Sequence, residues 1–68
     1  MMNNKVKYFV DFPTGRPGWI ELKTVDDHDI VWEGKESDIP GYEDNWQDAL
    51  DKFFEANLNI TPDEWEVG

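Results

Sequence analysis

Asp44-Asn45-Trp46-Gln47-Asp48-Ala49-Leu50-Asp51-Lys52-Phe53-Phe54-Glu55-Ala56 is the stretch over which the periodicity of this chain changes. Trp46, Ala49, Leu50, Phe53 and Phe54 fall at i, i+3, i+4, i+7 and i+8, the apolar stripe of a single helix. Asp44 has the chemistry of an N-cap, and Gln47 stands at capping-box spacing from it. Asn57 suits the left-handed residue that ends a helix. The pattern predicts a helix over about 44–56.

On the N-terminal side the period is two. Val6, Tyr8, Val10 and Phe12 alternate with Lys5, Lys7, Phe9 and Asp11, the signature of a half-buried strand. Pro13-Thr14-Gly15-Arg16-Pro17-Gly18 is a run of turn formers. Trp19 to Val25 alternates again, with Ile20, Leu22 and Thr24 on one side. Asp26-Asp27-His28-Asp29 is turn-like, and Ile30 to Glu33 is a third short strand expected to face Ile30 and Trp32 inward. Gly34 to Glu43 reads as a loop, its Pro40 disfavouring helix at the preceding residue.

On the C-terminal side, Thr61-Pro62-Asp63-Glu64 is a second start signal, with Pro62 suited to the first helical position and Glu64 completing a capping box. It predicts one helical turn that tucks Trp65 against the sheet or helix. The alternative is a short fourth strand through Glu64–Val67. The expected architecture is therefore α+β: a three-stranded antiparallel meander, one helix packed on one face, and a short C-terminal turn, in one acidic domain spanning 1–68.

The chain carries 16 acidic against 6 basic residues, a net charge of −10 on 68 residues. The charge is segregated. Residues 1–23 are net positive, whereas residues 24–68 hold Lys35 and Lys52 against every anion except Asp11 and Glu21. Carboxylates at this density repel one another in the compact state, and a small domain has little stability to lose. The pattern points to a strongly basic partner. It disfavours nucleic acid and anionic membrane as direct partners, since both carry phosphate. Without cysteine, disulfides and thiolate metal sites are excluded. Ten aromatic residues, four of them Trp, offer about 150–250 Å² of burial each in compensation. The opening Met1-Met2-Asn3-Asn4-Lys5 lacks the apolar region of a signal peptide, and the cytoplasm is the expected compartment.

Catalytic chemistry finds little support. His28 is the sole histidine and Ser37 the sole serine. Neither sits in a Gly-flanked nucleophile turn. Asp26, Asp27, His28 and Asp29 approach a cation-binding composition, but Val31 and Trp32 stand where a calcium loop stays polar. Pro13–Gly18 lacks the Gly-Lys-Ser/Thr ending of a phosphate loop. The expectation is a non-enzymatic protein without catalytic residues, metal or cofactor.

A second stripe runs along the helix. Asp44, Asp48, Asp51 and Glu55 lie at i, i+4, i+7 and i+11 and span about 16 Å. That density is of the same order as phosphates along DNA, about 3.4 Å apart per strand. Like charges at this spacing disfavour the helix by about 0.2–0.5 kcal/mol per pair, so the stripe runs against local helix physics. Glu36, Asp38 and Glu43 extend the track through the preceding loop. Tyr42 beside them is the candidate aromatic anchor, with whichever of Trp19 and Trp65 is left unburied. Phe9, on the lysine side of its strand, meets either a partner or Trp19 across the hairpin. The alternative is an acidic coat that serves solubility alone.

Two resemblances fall on this region. Asp38-Ile39-Pro40-Gly41-Tyr42 followed by Asp48-Ala49-Leu50 resembles the strand, D-L-P-G, helix stretch of HicB-like antitoxins, which implies a small sheet paired with a helix and neutralisation of a basic RNA-cleaving toxin. Tyr42 to Leu50 is also similar to the Y-G-x-N-x-D-A-L helix start of barstar-like ribonuclease inhibitors, with one extra residue before Asp48. In size and charge, though not by motif, the chain resembles the anti-CRISPR, anti-restriction and uracil-DNA glycosylase inhibitor proteins of bacteriophages and mobile elements. The function expected is a small acidic inhibitor that binds a basic nucleic-acid-handling protein as a nucleic-acid mimic. An antitoxin, an immunity protein or an adaptor domain are the alternatives, and monomer and homodimer are both open.

Overall fold

The alternating segments pair as their turns require. In the structure, a computed structural model that describes residues 5–68, β1 (Tyr8–Asp11), β2 (Trp19–Thr24) and β3 (Ile30–Lys35) form the expected antiparallel meander. The Met1–Asn4 start lies outside the described residues. A 3-10 turn over Glu36–Asp38 leads through the Pro40-Gly41 loop to α1 (Trp46–Leu58). A second 3-10 turn, Pro62–Glu64, leads to β4 (Trp65–Val67).

The sheet corrects the three-stranded expectation. Among the described residues it has four strands in the order β3-β2-β1-β4, and β4 runs parallel to β1 with Tyr8 opposite Trp65 and Val10 opposite Val67. The expected terminal turn is present, but the chain continues from it into the strand that was the alternative. Returning a parallel strand to the sheet takes a crossover. Here α1 supplies it, carrying the chain from the β3 edge to the β4 edge.

The helix is set one residue later at its start and two at its end than its sequence suggests. Asn45, not Asp44, is the N-cap: its side chain accepts the Asp48 N–H at 3.2 Å. Asn59, not Asn57, takes the left-handed conformation at the other end, with φ of 56°. Leu58 thereby joins the helix and packs against the core.

One face of the sheet is covered. Val10, Ile20 and Leu22 from the strands meet Leu50 and Phe54 from α1, all without exposed surface, and Ile39, Ala49, Ile60 and Trp65 close the core around them. Trp32 lies against both Phe53 and Phe54, each at a centroid distance of 5.3 Å. Its ring folds back over Gly34, where a Cβ would stand 2.6 Å from it.

Ile30 departs from expectation. Between β2 and β3 the register slips: Leu22 pairs with Trp32 but Lys23 pairs with Ile30, leaving Val31 as the extra residue of a bulge. The bulge reverses the alternation, so Trp32 stays inward while Ile30 turns out to the Lys23 side and is 49% exposed.

The other sheet face is closed by charge, not by helix. Glu33, Glu21 and Asp11 stand directly opposite one another across three strands. Like charges in such a row repel. Arg16 reaches from the β1–β2 loop to Glu21 (3.2 Å) and Glu33 (2.6 Å), and Lys23 bridges Asp11 (2.9 Å) and Glu21 (3.4 Å). Glu21 is buried beneath these two cations. The Arg16 guanidinium also lies 4.1 Å from the Trp19 ring centroid.

Candidate acidic docking face

The track expected from the sequence is divided by the fold into a groove and a helical stripe. Asp48, Asp51 and Glu55 lie on α1 at i, i+3 and i+7, on one side of the helix. Their mutual field is visible in Asp51. Its carboxyl is held above the usual carboxylate range, first by partial burial and then by repulsion from Asp48 and Glu55. Asp44 leaves this stripe. It sits in the turn before the cap, where its N–H donates to the Gly41 carbonyl at 3.1 Å.

Asp44 instead borders a cavity of about 460 Å³ in the loop between β3 and α1, together with Glu36, Ile39, Gly41, Tyr42 and Glu43. Gly41 is required at the bend, since its φ of 79° is one that side-chain-bearing residues rarely adopt. Glu36, Glu43 and Asp44 are exposed; Tyr42 is half-buried against the core, its ring 6.4 Å from Trp46. Burial pushes the Tyr42 hydroxyl above its ordinary range, and neighbouring Glu36 adds to the effect. Asp38 is exposed in the 3-10 turn of this loop.

The ion pairs mark the asymmetry of the molecule. Arg16, Lys23, Lys5 and Lys7 all pair with carboxylates of the open sheet face or the C-terminal turn. Across residues 36–58, the one pair among the described residues is Lys52 to Asp48, at 3.1 Å and exposed on both sides. Glu36, Asp38, Glu43, Asp44, Asp51 and Glu55 have no cation within ion-pair distance among the described residues. The basic N-terminal third is thus spent on internal neutralisation, and the surplus negative charge falls on the loop and helix, with a smaller share at Asp26, Asp27 and Asp29 of the β2–β3 turn and at Glu66.

The aromatic candidates sort by burial. Trp65 is in the core, against Phe54 at 5.3 Å. Trp19 is half-buried under Arg16, with the Lys35 ammonium 5.5 Å from its centroid. Phe9 meets His28 in a T-shaped contact at a centroid distance of 5.3 Å, not Trp19. Tyr42 alone of the named anchors borders the acidic loop. Sequence reasoning missed the apolar corner at the β2–β3 turn, where Val25, Ile30 and Val31 are all exposed. Its signal lies in the bulge, which alternation does not report.

Among the described residues, no group of three or more His, Cys, Asp or Glu is placed to hold a metal ion. Among them too, no helix is long and apolar enough to cross a membrane. Comparison with protein-family models, with curated proteins and with solved structures finds no match.

Proposed function

We propose that this chain is a non-enzymatic inhibitor that docks its loop-and-helix face on the basic surface of a DNA- or RNA-handling protein, with carboxylates standing where phosphates would bind. One observation carries this reading: ion pairing neutralises the open sheet face and leaves the carboxylates of residues 36–55 uncompensated, Lys52–Asp48 excepted. A coat serving solubility alone has no need of such segregation. Asp48, Asp51 and Glu55 form the rigid part of the surface. Glu36, Glu43 and Asp44 extend it around the Tyr42 groove. Long-range attraction speeds the encounter with a basic partner and fades with salt.

A second reading, an antitoxin that covers a toxin nuclease, is favoured by a specific feature. The HicB-like resemblance implies a strand, then Asp38-Ile39-Pro40-Gly41, then a helix bearing Asp48-Ala49-Leu50, and the chain folds in that order.

The test is a paired capture with wild type and the Asp48→Lys/Asp51→Lys variant as baits, both verified as folded by circular dichroism. Wild type retains a nucleic-acid-binding protein that duplex DNA or RNA displaces, and retention falls steeply between about 50 and about 200 mM salt. The double variant loses it. Equal retention by the variant, or salt-independent capture, overturns the reading. For the antitoxin, co-expression with the product of the adjacent gene relieves growth arrest and RNA cleavage.

A further inference from the structure

The β2–β3 turn holds an arrangement that neither core packing nor solubility accounts for. Alternation would bury Ile30, and a domain of 68 residues has few aliphatic side chains to spare for its core. The bulge at Val31 instead turns Ile30 outward, beside Lys23. Bulges recur where a side chain is re-aimed towards a function. Ile30, Val31 and Val25 are 49%, 46% and 37% exposed, three aliphatic groups at one turn. Phe9 stands in register with Lys23 and packs on His28, which extends the apolar surface inward. Asp26, Asp27 and Asp29 are exposed around it and have no ion-pair partner among the described residues.

We infer that this turn is a second contact for the basic partner: an apolar patch centred on Ile30 that receives an aliphatic side chain, inside a carboxylate rim that pairs with the lysines or arginines flanking it. The inference rests on the inhibitor reading for the identity of the partner, and on charge complementarity for its chemistry. Its division of labour with α1 is physical. The helix face gives a salt-sensitive attraction, whereas apolar contact at Ile30 persists as salt rises. Asp26, Asp27 and Asp29 select a basic surround and reject an acidic one.

The probes are three short synthetic peptides: lysine-leucine-leucine-lysine, the same peptide with serine for leucine, and the same with glutamate for lysine. Each is titrated into ¹⁵N-labelled protein. With the lysine–leucine peptide, amide resonances of Val25 to Val31 shift; the other two leave them in place. Ile30→Ser, at an exposed position, keeps the native spectrum and weakens this response about tenfold. The same response in Asp48→Lys/Asp51→Lys supports the tip contact even if the helix reading fails. Shifts confined to α1 overturn the tip contact and leave the inhibitor reading standing. No shifts at all, or tip shifts that grow with protein concentration alone and so report a second copy, also overturn it.

Discussion

Phe54 and Trp65 meet edge to face, their ring centroids 5.3 Å apart. This contact ties the middle of α1 to the fourth strand, and both residues are buried. Phe54→Ala is expected to cost about 3–5 kcal/mol. A domain of this size holds only a few kcal/mol in total, so the variant is largely unfolded, as urea titration of tryptophan fluorescence will show. Trp65→Phe should cost less than about 1.5 kcal/mol. It keeps an aromatic ring in the core and removes an indole N–H that is buried with no acceptor among the described residues.

Asn45 and Asp44 are adjacent, and both are good capping residues, but only the Asn45 side chain reaches the helix, at Asp48 N–H. Asn45→Ala is therefore expected to lower stability by about 1 kcal/mol. Asp44→Ala should change it by less than about 0.5 kcal/mol. Thermal unfolding of the two variants side by side decides between the two caps.

Asp51 is the stability cost of the acidic stripe. Its pKa is raised in the folded state, so the folded protein binds this proton more tightly than the unfolded chain does. The associated stability is present below the unfolded pKa and lost as pH rises through the folded value. Asp51→Asn should accordingly stabilise the protein at neutral pH by about 0.2–0.5 kcal/mol for each repulsive pair removed, and flatten the pH dependence in the weakly acidic range. If the acidic face works as proposed, the same change weakens capture of the basic partner.

Glu64 behaves oppositely. Its carboxylate accepts the Thr61 N–H at 2.9 Å and the Thr61 hydroxyl at 3.0 Å, and these hydrogen bonds, with Lys7 nearby, hold its pKa below the ordinary value. The stability it gives is present above the unfolded pKa and disappears as pH falls through the folded one. Glu64→Gln should lower the melting temperature at pH 7 and lose that effect on acidification, measured as a pH series of melting curves.

Gly34 keeps room for Trp32. A methyl group there would stand 2.6 Å from the indole and push it off Phe53 and Phe54. Gly34→Ala should cost about 1–3 kcal/mol and red-shift tryptophan emission, although a β-strand ordinarily prefers alanine to glycine.

The sequence is legible where periodicity is long. Five apolar residues at helical spacing locate α1, and alternation assigns Tyr8, Val10, Ile20 and Leu22 to the covered face. It is silent where one residue decides. Asp44 and Asn45 are chemically equivalent as caps, and only backbone geometry selects the second. The Val31 bulge inverts Ile30 with no mark in composition. Trp65-Glu66-Val67 alternates, but three residues are too few to distinguish a strand from a turn. Glu21 reads as a solvent-facing position, and only the folded chain brings Arg16 and Lys23 over it. Of the candidate site, Asp48, Asp51 and Glu55 share a side of the helix as their spacing implies, while the shifted cap moves Asp44 to the groove.

The parallel partner of β1 is the last of the five elements to be synthesised. Until Trp65 has left the ribosome, the first strand keeps one edge unpaired and Phe54 keeps one side of its ring bare. Nascent copies in that state would pair readily with one another were they neutral. Residues 24–58 already bear most of the chain's negative charge by then, and the mutual repulsion keeps unfinished neighbours apart during the interval before the sheet closes.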